Sequence, residues 1–163
     1  MKLFIFFGLP GAGKTYVAKV AEKYFDYQLY DGDNDLTPEM LKSIHSQSTI
    51  SDDMRDVFFE NLIESVKDLL TGYEKIIIHQ TFIKEKYREH FLKAFPEATF
   101  VLIKTNAKIR EKRLRERKEF PLDEAYARKM VRLFDRPDIK HMTIQNNFDG
   151  EKYIKEQLEK ILL

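Results

Sequence analysis

Eight consecutive residues, Gly8-Leu9-Pro10-Gly11-Ala12-Gly13-Lys14-Thr15, restrict this chain more than any other segment. They satisfy the pattern G-x-x-x-x-G-K-[ST] between a short apolar run, Leu3 to Phe7, and an amphipathic stretch, Lys14 to Phe25. A strand before this pattern and a helix after it are what its mechanism needs. Glycines let the backbone curl so that successive N–H groups face inward, and the helix N-terminus adds partial positive charge. The result is a cradle for phosphate oxygens formed by Gly8, Gly11, Ala12, Gly13, Lys14 and Thr15. In such a cradle Lys14 reaches the β- and γ-phosphates of a nucleotide, and Thr15 offers its hydroxyl to Mg²⁺. A glycine turn that merely packs a helix on a sheet has no need of Lys14 and Thr15. The dinucleotide fingerprint also fails, because Tyr16 stands where its third glycine belongs.

Beyond the loop, short apolar runs alternate with longer amphipathic ones. Leu3 to Phe7, Tyr27 to Tyr30, Ile76 to Ile78, Thr99 to Ile103 and Met142 to Ile144 read as strands. Lys14 to Phe25, Asp52 to Leu70, Lys84 to Ala94, Asn106 to Arg117, Leu122 to Phe134 and Glu151 to Leu163 read as helices. Start signals stand at Thr37-Pro38, Ser51-Asp52-Asp53 and Gly150. Strands apolar on both sides, alternating with helices, predict an α/β fold: three layers, a five-stranded parallel sheet with helices on both faces, and a small lid. With 163 residues, 43% of them apolar, the chain reads as one domain able to bury a full core. No cysteine is present, which removes disulfides, thiolate metal sites and a cysteine nucleophile. The four histidines show no metal spacing and read as surface or packing residues. A net charge of +1 confines any basic region to a local patch. No apolar run approaches the ~20 residues that span a bilayer, and the apolar N-terminus runs into the glycine loop rather than a cleavage site, so a cytoplasmic protein is expected.

Ligands of open parallel sheets bind at the carboxyl ends of the strands. Polar residues follow each of the first four: the glycine loop, Asp31-Gly32-Asp33, His79-Gln80-Thr81 and Lys104-Thr105-Asn106. No Asn-Lys-x-Asp sequence occurs, which disfavours a GTPase, and the third strand ends in His79-Gln80 rather than an aspartate, which disfavours motor and transport ATPases. A small-molecule kinase remains. There an acid and a cluster of arginines do most of the work that phosphoryl transfer requires. Asp31 and Asp33, two apart on an extended turn, would face the same way. One would hold the Mg²⁺ water shell and the other orient or deprotonate an acceptor hydroxyl; alone, the same run reads sooner as a solvated turn, and its place after the second strand of a chain with this glycine loop reverses that preference. Arg110, Arg113 and Arg117 share one helix face. That face fits an arginine lid, a solvated face balanced by Glu111, Glu116 and Glu119, or, least favoured, a phosphate-tracking surface for nucleic acid.

The chain resembles the gluconate kinase and shikimate kinase branch of small P-loop kinases, gluconate kinases best. The matching stretches are the glycine loop, Asp31-Gly32-Asp33, Pro38, Ser51-Asp52-Asp53-Met54-Arg55, Thr81-Phe82-Ile83-Lys84 with Tyr87-Arg88, and Arg113-Leu114-Arg115-Glu116-Arg117. The resemblance implies ATP and Mg²⁺, with Thr15 and Asp31 serving the metal. It implies Asp33, Arg55, Thr81 and Lys84 as acceptor contacts, and Lys14, Asp33, Arg113 and Arg117 as the groups that act on the phosphoryl group. An acceptor-binding region over about 33–70 and a lid over about 113–125 follow from it, in a monomer or homodimer acting on a small hydroxylated metabolite such as a sugar acid. A nucleotide or polynucleotide 5′-hydroxyl acceptor, or an ATP-binding module without catalysis, are the alternatives. Three positions depart from the gluconate kinase pattern, all in the acceptor half: Thr37-Pro38 replaces a His-Pro pair, Phe58 a tryptophan, and the expected glycine is missing near Gln47. The glycine-rich run of shikimate kinases is absent too.

Overall fold

Alternation along the first strand creates both faces of the molecule. In β1 (Lys2–Phe7), Leu3, Ile5 and Phe7 join one buried cluster while Phe4 and Phe6 join another. Residues two apart share a face of a strand, so an all-apolar run must be covered on both sides. The computed structural model, which describes residues 1–117 and 124–163, has that arrangement. β2 (Gln28–Asp31), β3 (Lys75–His79), β4 (Thr99–Lys104) and β5 (His141–Gln145) join β1 in one sheet of order β2-β3-β1-β4-β5. Every pairing is parallel, with Ile5 opposite Ile78 on one side and Phe100 on the other. α1 (Lys14–Phe25) and α7 (Lys152–Leu162) cover the Phe4 and Phe6 face through Val17, Ala21, Ile154 and Leu158. α3 (Asp52–Leu69) and α4 (Glu85–Ala94) cover the other through Phe59, Leu62 and Phe91. The expected α/β sheet with helices on both faces is the fold found.

Two of the three start signals act as read, whereas α7 has Glu151, one residue after Gly150, at its cap position and no side-chain cap bond. Thr37 Oγ1 accepts the Met40 N–H at 3.2 Å, Ser51 Oγ accepts the Met54 N–H at 3.2 Å, and each begins a helix. The first of these, α2 (Pro38–His45), is a helix that the apolar pattern did not delimit. At its end Gln47 takes φ 53, the left-handed conformation that a glycine would adopt most easily. Asn106 caps α5 (Ala107–Arg115) by accepting the Lys108 N–H at 2.9 Å, so that helix starts one residue later and ends two earlier than expected. α6 (Glu124–Leu133) occupies the next predicted helix. Its expected first residues, Leu122 and Asp123, and the rest of the predicted lid between 118 and 123, lie outside the described residues.

One correction concerns the aspartates. Gly32–Asp35 forms a 3₁₀ turn rather than an extended one, because the Asp31 carboxylate accepts the Asp33 N–H at 2.9 Å and closes the chain on itself. The acid pair is therefore positioned by a cap, not by strand alternation.

Arg88 on α4 is fully buried. Its guanidinium lies 5.1 Å from the centre of the Phe7 ring and 4.7 Å from that of Phe134, a cation held by aromatic faces. Its Nε donates to Phe82 O at 2.8 Å, and Nη1 donates to Glu85 Oε2 at 2.6 Å and to Asp135 O at 2.9 Å. The side chain thus ties the segment after β3 to the segment after α6. Phe82 has φ 48, an uncommon conformation for a bulky residue, and the bond from Arg88 helps to hold it. Removing one partner of a buried pair leaves the other charge uncompensated, at about 3–5 kcal/mol. We expect Arg88→Met to lose about 3 kcal/mol of unfolding free energy in urea titration, and Arg88→Met with Glu85→Gln to recover part of that loss.

Candidate active site

The glycine loop crosses from β1 to α1 through a space that admits no side chain. Gly8, Gly11 and Gly13 have φ of 149, 81 and 88. A Cβ on Gly8 would meet Ile103 O at 2.5 Å, one on Gly11 would meet Arg110 O at 2.8 Å, and one on Gly13 would collide with Asn146 Nδ2. The loop is therefore seated against the ends of β4 and β5 and against α5. Two polar contacts fix it there. Asn146 Nδ2 donates to Ala12 O at 2.8 Å, and Thr105 Oγ1 lies 2.8 Å from the same oxygen. Arg113 Nη1 stands 3.4 Å from Thr105 Oγ1, so α5 reaches the loop through a shared hydroxyl.

Lys14 folds back over the loop, donating to Gly8 O at 3.0 Å and Leu9 O at 3.1 Å. Removal from water brings its ammonium pKa down to about 8, against a counteracting pull from Asp33; Arg117 adds to the lowering and Asp31 opposes it. Phosphate oxygens would supply the negative charge that this lysine lacks. Thr15 begins α1 with its hydroxyl 3.4 Å from His79 Nδ1, and His79 Nδ1 lies 3.9 Å from Asp31 Oδ1. Burial lowers the His79 pKa, which keeps the ring neutral. Gln80, also buried, donates from Nε2 to Asp33 Oδ1 at 2.9 Å and accepts the Thr81 N–H at 2.6 Å. One hydroxyl and two carboxylates make a hard oxygen set suited to Mg²⁺ that shares phosphate oxygens and keeps its waters. Among the described residues, no group of three or more His, Cys, Asp or Glu could hold a metal alone.

A cavity of about 650 Å³ opens in front of this loop. Gly11, Gly13, Lys14, Thr15, Asp31 and Asp33 line one part, with His79, Gln80 and Thr81 beside them. Arg113 and Arg117 close over that part from α5 and the residues just after it. Arg55 lines the other part, with Met40 and Ile44 from α2, Phe58 and Phe59 from α3, and Tyr126, Lys129 and Met130 from α6. Of the residues expected from the sequence, Gly8 and Ala12 act through the backbone of the loop. Lys84 is not brought to the cavity: it pairs with Asp135 at 3.4 Å. The arginine face divides. Arg113 and Arg117 line the cavity, whereas Arg110 donates to Thr105 O at 3.5 Å.

His79, Asn146 and the apolar wall on α2 and α6 were not assigned from sequence. His79 differs from the expectation of a surface or packing histidine, and its place directly after a strand was the signal for it. Asn146 also follows a strand, but nothing local marks an amide that will meet a loop over 130 residues earlier in the chain.

The profile of the AAA domain family matches residues 3–137. The chain belongs to that family. Among solved structures, this AAA domain is similar to a sugar kinase from Janibacter sp. HTCC2649, with a TM-score of 0.85 at 16% identity over 99% of this chain and 94% of that one. It is similar to a gluconokinase from Sinorhizobium meliloti 1021, with a TM-score of 0.76 at 15% identity over 98% and 93% of the two chains. It is also similar to Kti12 of Chaetomium thermophilum in complex with ADP-AlF3, with a TM-score of 0.70 at 18% identity over 98% and 97%. These likenesses establish the fold of small P-loop kinases. A comparison with curated protein sequences gives no match. Among the described residues of the AAA domain, no helix is long and apolar enough to cross a membrane.

The lowered Lys14 pKa gives a signed prediction. The unfolded chain binds this proton more tightly than the folded one, so the cost of the charge is fully present below pH 8 and fades as pH rises towards 10.5. Lys14→Met should raise the melting temperature of the nucleotide-free protein at pH 7, the gain should shrink between pH 8 and pH 10.5, and ATP binding should be lost. Calorimetric scans and ATP titrations across that range measure both.

Proposed function

We propose that this chain is an ATP-dependent phosphotransferase that moves the γ-phosphate to a hydroxyl of a small metabolite. The observation that carries the reading is the continuity of one cavity: it runs from Lys14 and Thr15, past Asp31 and Asp33, to the acceptor-side cation Arg55. A module that only bound ATP would have no use for a carboxylate at the junction. The kinase fold supports the same reading, as does the ADP-AlF3 held by the Kti12 structure of similar fold.

In this scheme the N–H groups of Gly11, Gly13, Lys14 and Thr15 and the Lys14 ammonium hold the phosphates, while the Ala12 N–H closes the loop on Leu9 O at 3.1 Å. Thr15 and Asp31 would hold Mg²⁺, which neutralises charge on the β- and γ-oxygens when bound. Asp33 orients the acceptor hydroxyl and takes its proton. Gln80 fixes that carboxylate by donating to Oδ1, which leaves the other oxygen for the acceptor. Arg113 and Arg117 exclude water and stabilise charge on the phosphoryl group in flight. The segment 33–70 binds the acceptor and the segment 113–125 serves as the lid. Thr81 lines the acceptor side, and Arg55 receives an anionic group of the acceptor. The family resemblance favours a gluconate-like sugar acid.

Asp33→Asn tests the division of labour. Acceptor-stimulated kcat should fall about 10²- to 10⁴-fold while ATP affinity stays within about twofold, read by coupled ADP release and by nucleotide titration. An ATP-binding module without catalysis would instead show no acceptor-stimulated ADP release in the wild type across sugar acids, shikimate, nucleosides and nucleoside monophosphates.

A further inference from the structure

We infer that the acceptor is an anion carried on an apolar, ring-sized body rather than a bare polyol acid such as gluconate. The inference rests on the phosphotransferase reading and concerns the acceptor half of the same cavity.

Away from the glycine loop the lining becomes mostly apolar, with Leu36, Leu41 and Ile50 added to the hydroxyls of Ser48 and Thr49. Met40, Phe58 and Phe59 are buried at 3–4% exposure, Tyr126 is 8% exposed, and Ile44 and Met130 complete the wall. A polyol acid carries a hydroxyl on nearly every carbon, and each gives up bonds to water on entering. Alkyl and aromatic side chains cannot replace those bonds. The same wall gains when it covers carbon, and the rings of Phe58 and Tyr126 among its lining favour a ring. Methionines add a surface that adapts to the shape of an apolar guest.

The charge on the acceptor follows from Arg55. Its side chain is 12% exposed. Nη1 donates to Ile50 O at 2.9 Å and lies 3.6 Å from Asp52 Oδ1, while Nε and Nη2 have no hydrogen-bond partner among the described residues. Arg55 lines the same cavity as Phe58 and Tyr126, which sets it beside the apolar wall. A half-buried guanidinium with two donors unspent matches a carboxylate or a phosphate. Lys129, which donates to Thr49 Oγ1 at 3.2 Å, adds a second cation along the same lining. The acceptor therefore presents a hydroxyl to Asp33, carbon to α2, α3 and α6, and an anion to Arg55.

The step balances without further reagents. The acceptor hydroxyl oxygen forms a bond to the γ-phosphorus as the bond from that phosphorus to the β–γ bridging oxygen breaks. ADP leaves with the bond's electron pair, and the hydroxyl proton passes to the Asp33 carboxylate and then to water.

Binding separates this inference from the kinase reading, because it needs no turnover. Calorimetry on the full chain, saturated with Mg²⁺ and a non-hydrolysable ATP analogue, would use four probes. These are 4-(hydroxymethyl)benzoate, thymidine 5′-monophosphate, benzyl alcohol and gluconate. At least one of the first two should bind about tenfold or more tighter than both gluconate, which lacks the apolar body, and benzyl alcohol, which lacks the anion. Which of the two binds tighter decides between a simple ring acid and a nucleotide as the source of that chemistry. Met130→Asn should cut the advantage over gluconate about tenfold, and Arg55→Met should cut the advantage over benzyl alcohol by a similar factor. Gluconate binding as tightly as both aromatic anions overturns the inference, and so does failure of both aromatic anions to bind. If the aromatic anions bind in the expected order but no acceptor stimulates ADP release, the inference stands and the kinase reading falls.

Discussion

The closeness of the glycine loop to its surroundings is the constraint on which the rest of the site depends. At Gly8, Gly11 and Gly13 a single methyl group would strike the end of β4, the body of α5 or the Asn146 amide. Three backbone positions thus touch three different elements. Those contacts hold the loop backbone in one conformation, and preorganised dipoles are what stabilise developing charge without reorganisation at the moment of reaction. The strand order follows the same logic. β1 lies centrally between β3 and β4, so the loop that leaves it is walled by the ends of both neighbours.

From this seating comes a link between the glycine loop, α5 and the end of β5. Arg113 on α5, the Thr105 hydroxyl and the Ala12 carbonyl form a continuous polar path, and Asn146 enters it from β5. The Asn146 Oδ1 remains buried without a hydrogen-bond partner among the described residues. Leaving a buried acceptor unpaired costs about 1–3 kcal/mol. An amide here donates to a loop carbonyl that an aliphatic side chain would leave unmet, so the orphan oxygen is the cost of holding Ala12. Across the sheet, Arg88 does for the β3 segment what Asn146 does for the loop. It fixes Phe82 and Ile83, and with them the turn that carries Gln80 and Thr81 to the cavity.

Much of this was legible in the sequence because its signals are local. The motif at Gly8 to Thr15, the apolar strands, and the caps at Thr37 and Ser51 each depend on residues within a few positions of one another. Asp31 and Asp33 could be placed at the site because a strand end fixes where the chain emerges. Their geometry could not, since the 3₁₀ turn depends on a side chain bonding its own backbone. Lys84 shows the same limit. The resemblance implies an acceptor contact there, and a long-range partner, Asp135, 51 residues away, holds its ammonium in this structure. The apolar wall escaped notice because α2 and α6 each contribute a few residues that alone look like ordinary helix faces. Only the tertiary fold sets Met40 and Met130 on one cavity.

The charges of the site are kept apart. Lys14 has no carboxylate within bonding distance among the described residues and satisfies itself on the carbonyls of Gly8 and Leu9. Asp31 is engaged by the Asp33 N–H and Asp33 by Gln80, so both acids are oriented by neutral donors rather than neutralised by a cation. A direct Lys14–Asp33 ion pair would stabilise the nucleotide-free protein, yet it would have to break for each ATP. Holding the ions apart keeps the lysine desolvated and the carboxylates oriented, which is destabilising for the free protein and favourable once an anion such as phosphate meets the lysine. His79 serves the same separation. A neutral ring between Thr15 and Asp31 places no second cation beside that carboxylate.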